Sequence, residues 1–89
     1  MNVRYSRRAL SQLASVHEYL HGRNRSAAAN VTASIRSTIA RLREMPLLGK
    51  PTDEADVHMI IEPEYLYRVF YRVKGQQVFV IRILHGRQR

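Results

Sequence analysis

Two stretches in the first half of the chain place apolar residues at intervals of three and four. Residues three and four apart share one face of an α-helix, so each stretch predicts an amphipathic helix. The first runs from about Arg7 to Leu20 after Ser6, and the second follows Ser26 and ends at Pro46; both serines are suitable N-caps. The connection is short, which predicts an antiparallel helix hairpin. The two apolar stripes are Ala9, Leu13, Val16 and Leu20, and then Ala28, Val31, Ile35, Ile39, Leu42 and Met45.

The second half of the chain alternates instead, as strands do. Tyr65 to Val73 is the clearest strand, and Val78 to Leu84 follows it after a glycine-containing turn that predicts a hairpin. Val57 to Ile61 is a third candidate, and Val3-Arg4-Tyr5 can form a short strand at the start. We therefore predict one α+β domain over residues 1–89 in the order β-α-α-β-β-β. The helix hairpin would cover one face of a small antiparallel sheet, and the other face would stay partly open.

Arginines recur on one side of the two long strands. Arg68 and Arg72 share a face with Phe70, since side chains two apart in a strand point the same way. The opposite face, with Tyr67, Val69, Tyr71 and Val73, would pack against the helices. In the last strand we expect Phe79, Ile81 and Ile83 on one face and Val78, Val80, Arg82 and Leu84 on the other. Arg82 would then lie beside Arg68 and Arg72, in a register that a single bulge would change.

Guanidinium groups in this arrangement suit phosphate or carboxylate, because the planar fork donates two parallel hydrogen bonds and stays charged. An ordinary solvated face, with the arginines paired to Glu62 or Glu64, is the alternative. The overall charge favours an anionic partner: 15 Lys and Arg against 7 Asp and Glu give +8. That partner would be a nucleic acid or an acidic protein segment, although charge for solubility alone would look the same.

The sequence predicts a soluble, cytoplasmic protein without a cofactor. Its start, MNVRYSRRALSQL, lacks the apolar core of a signal peptide, and no apolar run is long enough to span a bilayer. There are no cysteines, which removes disulfides and thiol chemistry. His17 and His21 stand four residues apart, but no further ligand pair accompanies them, so we expect no metal site.

Taken together, these elements resemble the RelE/ParE superfamily of toxins from type II toxin–antitoxin modules. The similarity covers nearly the whole chain. The helix hairpin and the closing His85-Gly86-Arg87 resemble the ParE branch more than the RelE branch. The segments that carry it are Tyr5-Ser6, Ala9 to Leu13, Ala28 to Leu42, Met45-Pro46 with Gly49, Tyr67 to Val73, and Ile83 to Arg87.

The resemblance implies a toxin that arrests growth when free and is silenced by an acidic, ParD- or RelB-like antitoxin in a hetero-oligomer. ParE-type toxins act on DNA gyrase without chemistry of their own, whereas RelE-type toxins cut mRNA on the ribosome. We expect a ParE-like gyrase inhibitor. A RelE-like ribosome-dependent endoribonuclease is the alternative, and a basic module that binds nucleic acid is a third possibility.

The same resemblance implies candidate sites. Target binding would involve Arg68, Arg72, Arg82 and Arg87, and no catalytic residues are expected in a gyrase inhibitor. A nuclease would use Arg68, His85 and Arg87, because an imidazole with a pKa near 6.5 suits acid–base work. By parity His85 continues the face of Phe79, Ile81 and Ile83, which favours a structural role. Exposed apolar residues are expected to bind the antitoxin; these are Leu10, Leu47 and Leu48.

Overall fold

A computed structural model describes residues 1–85 of the chain. The predicted α+β order is confirmed, and the first helix and three longer strands lie close to their predicted positions. The second helix was predicted to end at Pro46 but ends at Ala40, so Met45 is exposed instead of continuing the apolar stripe. A short additional strand occupies the region predicted as a loop. The elements are β1 (Asn2–Tyr5), α1 (Arg7–His21), α2 (Arg25–Ala40), a 3₁₀ turn (Arg41–Arg43), β2 (Lys50–Pro51), β3 (His58–Ile61), β4 (Tyr67–Lys74) and β5 (Gln77–His85).

The five strands form one sheet in the order β1-β5-β4-β3-β2. The strands from β3 to β5 pair antiparallel, as predicted, and the additional strand β2 pairs antiparallel with β3, but β1 runs parallel to β5. The sheet is therefore mixed rather than wholly antiparallel. The alternation of Val3-Arg4-Tyr5 identified β1 as a strand but carries no information about its direction, which is set by the crossover through both helices.

The core lies between the helix pair and one face of the sheet. Tyr71 at its centre is fully buried, which confirms its predicted core position, and its hydroxyl accepts a hydrogen bond of 2.8 Å from the Gly49 backbone N–H. A Cβ at position 49 would lie 2.7 Å from that hydroxyl oxygen and 2.8 Å from the Met59 carbonyl oxygen, so only glycine fits. The surrounding buried side chains include Ala9, Leu13, Val31, Ile35, Ile39, Leu42, Ile60, Val69, Val78, Val80 and Ile83.

A β-bulge in β5 reverses its alternation. Phe70 pairs with Arg82 and Tyr71 pairs with Val80, which leaves Ile81 without a partner position on β4. Side chains before the bulge and after it therefore switch faces. Val78 and Val80 face the helices, as do Ile83 and His85, whereas Phe79, Arg82 and Leu84 face away. The predicted division of this strand into two faces is wrong for this reason.

The first turn of α1 holds the bulge in place. The Ser6 hydroxyl donates a hydrogen bond of 2.9 Å to the Ile81 carbonyl, and its oxygen also accepts one of 2.9 Å from the Ala9 N–H as the helix N-cap. One turn later, the Gln12 side-chain oxygen accepts a hydrogen bond of 2.7 Å from the Ile83 N–H. Because β1 ends at Tyr5, these side chains complete the hydrogen bonding of β5 where its strand neighbour stops.

The N-cap of α2 is simpler and offers a comparison. It is Asn24 rather than the predicted Ser26, and its exposed side chain accepts one hydrogen bond of 3.0 Å from the Ala27 N–H. Replacing an N-cap residue by alanine typically costs about 1 kcal/mol.

We expect Ser6→Ala to lower the free energy of unfolding by about 2 kcal/mol, and Asn24→Ala by about 1 kcal/mol. The difference arises because Ser6 caps α1 and also satisfies the Ile81 carbonyl at the bulge, whereas Asn24 only caps α2. Urea unfolding followed by circular dichroism measures both. Equal losses would show that the bulge does not depend on the Ser6 hydroxyl.

Candidate functional site

The face of the sheet turned away from the helices carries arginines from three strands; we refer to it as the arginine face. Arg68, Arg72 and Arg82 lie together on it, as predicted, but Arg82 reaches it only because of the bulge. The sequence reasoning missed Arg4, which the parallel pairing of β1 places opposite Phe79 on the same face. The alternation of Val3-Arg4-Tyr5 could have indicated it, because it places Arg4 on the face opposite to Val3 and Tyr5. Apolar side chains of the same face lie between the cations; they are Met59, Phe70, Phe79 and Leu84.

One carboxylate joins two of these arginines. The Glu54 Oε2 atom lies 2.9 Å from a terminal nitrogen of Arg82, and its Oε1 atom lies 3.7 Å from one of Arg72. The Arg82 guanidinium in turn stacks on Phe70, with 4.1 Å between its central carbon and the ring centroid. The sequence pointed to Glu62 or Glu64 as possible partners of the arginines, but the carboxylate that pairs with Arg72 and Arg82 is Glu54. Glu62 is buried and accepts hydrogen bonds from other groups.

The Glu54 contacts leave the arginine face positive. One carboxylate cannot neutralise two guanidiniums, and exposed Arg4 and Lys74 add charge on the same side of the sheet. The side chains of Arg72 and Glu54 remain 44% and 46% exposed, so water screens their attraction. Exposed ion pairs of this kind contribute about 0–1 kcal/mol to stability. The face therefore still attracts anions.

A small hydrogen-bonded turn presents Glu54 to the arginines. The Glu54 N–H donates to the Thr52 hydroxyl oxygen at 3.1 Å, and the Glu54 carbonyl accepts from the Val57 N–H at 3.1 Å. Thr52 and Val57 are joined by a further backbone hydrogen bond of 3.0 Å, and Val57 is 1% exposed. Asp56 adopts a φ of 62°, a left-handed conformation that aspartate tolerates better than most residues other than glycine. The sequence showed only a cluster of acids in a loop.

His85 lies on the other side of the sheet, towards α1. Its ring meets Tyr67 edge to face, with 5.1 Å between the ring centroids. Both residues line a groove with Val16, Tyr19 and Leu20. The predicted neighbourhood with Phe79 is wrong because of the bulge, but this packing fits the structural role proposed for His85.

Two of the three residues named for a nuclease, Arg68 and His85, are therefore not brought together. Arg68 and His85 point to opposite faces, and Arg87 lies outside the described residues.

The residues predicted to bind an antitoxin fall into two separate patches. Leu10 is 49% exposed and lies in a groove between the two helices, beside Thr32 and Arg36. Leu47 is 69% exposed and adjoins Met45, which is 53% exposed. Leu48 is partly buried and packs against the core, so its prediction as an exposed residue is wrong. The chain turns inward there because Gly49 must reach the Tyr71 hydroxyl.

Glu62 is a buried carboxylate that fixes the turn between β3 and β4 onto α2. It is fully buried, and its Oε2 atom accepts hydrogen bonds from the Ser34 hydroxyl at 2.6 Å and the Glu64 N–H at 2.8 Å. Its Oε1 atom accepts from the Tyr65 N–H at 2.8 Å. Burial alone would raise the pKa of this carboxyl group, but the hydrogen bonds outweigh it and hold the pKa below its ordinary value of 4.5.

Within residues 1–85, no three His, Cys, Asp or Glu side chains lie close enough together to hold a metal ion. Over the same residues, no helix has the length and apolar character needed to cross a membrane.

Comparisons with known proteins identify similar chains. A family model described as "ParE toxin of type II toxin-antitoxin system, parDE" matches residues 3–89. A protein of Sinorhizobium fredii named "Putative toxin Y4kP" is 26% identical over 87 residues, which covers 98% of this chain and 90% of that protein.

Two solved structures share the fold. One is from the "Chromosomal ParDE TA system from P. aeruginosa", with a TM-score of 0.86 and 18% identity over 96% of this chain and 95% of that one. The other belongs to the intact E. coli RelBE toxin-antitoxin complex, with a TM-score of 0.74 and 19% identity over 98% of both chains.

We expect Glu62→Gln to lower the free energy of unfolding by about 1–3 kcal/mol at pH 7, because amide N–H groups would then face donors that need an acceptor. The difference in the free energy of unfolding between the natural protein and Glu62→Gln should become smaller at acid pH. A carboxyl group with a lowered folded-state pKa stabilises the fold above its unfolded-state pKa and stops doing so as the pH falls through the folded-state pKa.

Urea unfolding of both proteins between pH 7 and pH 3 tests this pH dependence. Glu64→Gln is the matched control, since Glu64 is exposed and contributes its backbone N–H, which the substitution keeps. A constant difference between Glu62→Gln and the natural protein across this range would contradict the assignment.

Proposed function

Because the chain belongs to the ParE toxin family of type II toxin–antitoxin systems, we propose that it inhibits DNA gyrase through its arginine face. The protein is a ParE-like toxin, and its partner is an antitoxin. The family match over residues 3–89 is the observation that carries the choice of target. Gyrase acts on chromosomal DNA, so the proposal also places the toxin in the cytoplasm.

The geometry supports binding rather than chemistry at this face. Guanidinium groups stay protonated at any physiological pH and cannot serve as general acids or bases. The histidine named for that role, His85, points to the opposite side of the sheet and packs on Tyr67. The arginine face can therefore hold anionic groups, and its arginines do not exchange protons with them. This arrangement favours gyrase inhibition over RelE-like mRNA cleavage.

The composition of the face suits a protein target. Arginine, aromatic residues and methionine are enriched in protein interfaces, where well-packed aromatic and arginine side chains provide much of the binding energy. Here the Arg82 guanidinium lies over the Phe70 ring, and Met59 pairs with Phe70 from the neighbouring strand. We assign target contact to Arg68, Arg72 and Arg82, and we add Arg4. Arg87 keeps its predicted role in target binding.

The antitoxin would cover the apolar patches instead. The Leu10 groove and the Met45–Leu47 patch lie apart from the arginine face and expose large apolar side chains. Such patches commonly mark protein interaction sites. The charge of +8 would attract an acidic antitoxin and raise its association rate. We propose that Leu10 and Leu47 contact it.

The purified toxin should cause gyrase to accumulate cleaved DNA. With supercoiled plasmid, gyrase and ATP, the linear product released by detergent and protease should rise with toxin concentration. The double variant Arg72→Gln/Arg82→Gln should need at least about tenfold more protein for the same effect, because interface hot spots contribute 2 kcal/mol or more.

Arg8→Gln/Arg23→Gln is the control for this assay. It removes the same charge from exposed arginines in the helix layer and should retain full potency. Absence of linear plasmid with the natural protein would contradict the proposal. Ribosome-dependent mRNA cuts would support the nuclease alternative, and tight, salt-sensitive DNA binding without growth arrest would support the basic module.

Substitution of the exposed leucines should weaken antitoxin binding. Leu10→Ser and Leu47→Ser are each expected to raise the dissociation constant about tenfold, measured by titration calorimetry with the cognate antitoxin. Leu66→Ser is the matched control, since Leu66 is 58% exposed and lies in the turn between β3 and β4. Equal effects at all three positions would count against the assigned patches.

A further inference from the structure

The position of Glu54 resembles that of a bound ligand. Its two carboxylate oxygens face Arg72 and Arg82 from a turn that is not part of the sheet. We propose that Arg72 and Arg82 form a carboxylate-binding site, that Glu54 is its internal occupant, and that an acidic segment of a protein partner displaces Glu54. This inference rests on the proposed function of the arginine face and names the chemistry that the face recognises.

The turn that carries Glu54 is built to deliver its side chain. The Glu54 N–H donates to the Thr52 hydroxyl oxygen and the Val57 N–H donates to the Glu54 carbonyl, which fixes the backbone of Glu54 on both sides; buried Val57 anchors the end of the turn. On the other side, Arg82 is held against Phe70 and is only 21% exposed. The turn thus fixes the Glu54 carboxylate, and β5 with Phe70 fixes the Arg82 guanidinium. Such pre-positioning lowers the entropy cost of binding and is typical of a binding site.

The occupant is nevertheless exchangeable. The Glu54 side chain is 46% exposed, and only its Oε2 atom makes a short contact; the Oε1 atom remains 3.7 Å from Arg72. An incoming carboxylate could approach both guanidiniums more closely. It would also meet the remaining positive charge of Arg4 and Lys74, which a single internal glutamate leaves uncompensated.

The neighbouring side chains favour an acidic peptide over a nucleic acid. Ile61 pairs with Arg68 and is 50% exposed, and Leu84 lies on the other side of Arg68. A peptide can place apolar side chains on these residues and carboxylates on the arginines. Base stacking would need an exposed aromatic face, but Phe70 is only 9% exposed beneath Arg82, and Phe79, the other aromatic residue of this face within residues 1–85, is partly buried.

Binding of a fluorescein-labelled hexaglutamate peptide, followed by anisotropy, tests the inference with the intact protein. Glu54→Gln keeps the size of the side chain and removes its charge, so the peptide should bind about five- to tenfold more tightly. Glu18→Gln is the matched control, because it changes the net charge equally from α1, on the other side of the sheet. It should leave binding nearly unchanged.

Adding Arg72→Gln and Arg82→Gln to the Glu54→Gln variant should abolish the gain, and thermal unfolding should verify that each variant folds. Equal effects of Glu54→Gln and Glu18→Gln would overturn the proposal. A larger gain for fluorescein-labelled oligothymidylate than for hexaglutamate would also overturn it, in favour of a nucleic acid.

The peptide assay contains no gyrase. If Glu54→Gln binds the peptide more tightly but the toxin causes no plasmid cleavage, the proposed target is refuted and the carboxylate site is supported. If the toxin causes plasmid cleavage but Glu54→Gln does not bind the peptide more tightly, only the carboxylate site is refuted.

Discussion

The β-bulge at Ile81 determines which side chains meet on each side of the sheet. Before it, β5 directs Val78 and Val80 to the core; after it, Arg82 joins the arginine face and His85 turns towards α1. The bulge is held by Ser6, which caps the first helix with the same hydroxyl that satisfies the Ile81 carbonyl. Core packing, helix capping and the surface assigned to the target thus depend on one local irregularity.

The regular part of this fold could be predicted from the sequence, and the irregular part could not. The spacing of Leu13, Val31 and Ile35 reflects a real packing constraint, since each must reach the sheet. In β5, by contrast, apolar residues occupy both alternating sets, so parity could not reveal the extra residue. Its anchor is Ser6, 75 positions away in the sequence, and no local signal joins the two.

In the candidate site, the positions of Glu54 and Glu62 also could not be predicted from the sequence. Both belong to one acidic stretch, yet their environments differ completely. Glu62 is enclosed by hydrogen-bond donors that prefer its charged form, so it fixes the turn before β4. Glu54 stays half exposed between two guanidiniums. The sequence could supply the charges, but the assignment of each carboxylate depended on turn geometry, including the left-handed backbone of Asp56.

The bulge also decides whether the histidine and the arginines of this scaffold share one face of the sheet. The solved ParDE and RelBE structures are 18% and 19% identical to this chain. At this level of identity the similarity concerns the fold alone. Without the extra residue, Val69 would pair with Arg82, and position 85 would move to the arginine face. That face would then hold an imidazole, which can transfer a proton, beside the guanidiniums of Arg68 and Arg72, whereas Arg82 would turn towards the helices. In this chain the register separates them: Arg68, Arg72 and Arg82 lie on the arginine face, and His85 lies on the side of the helices.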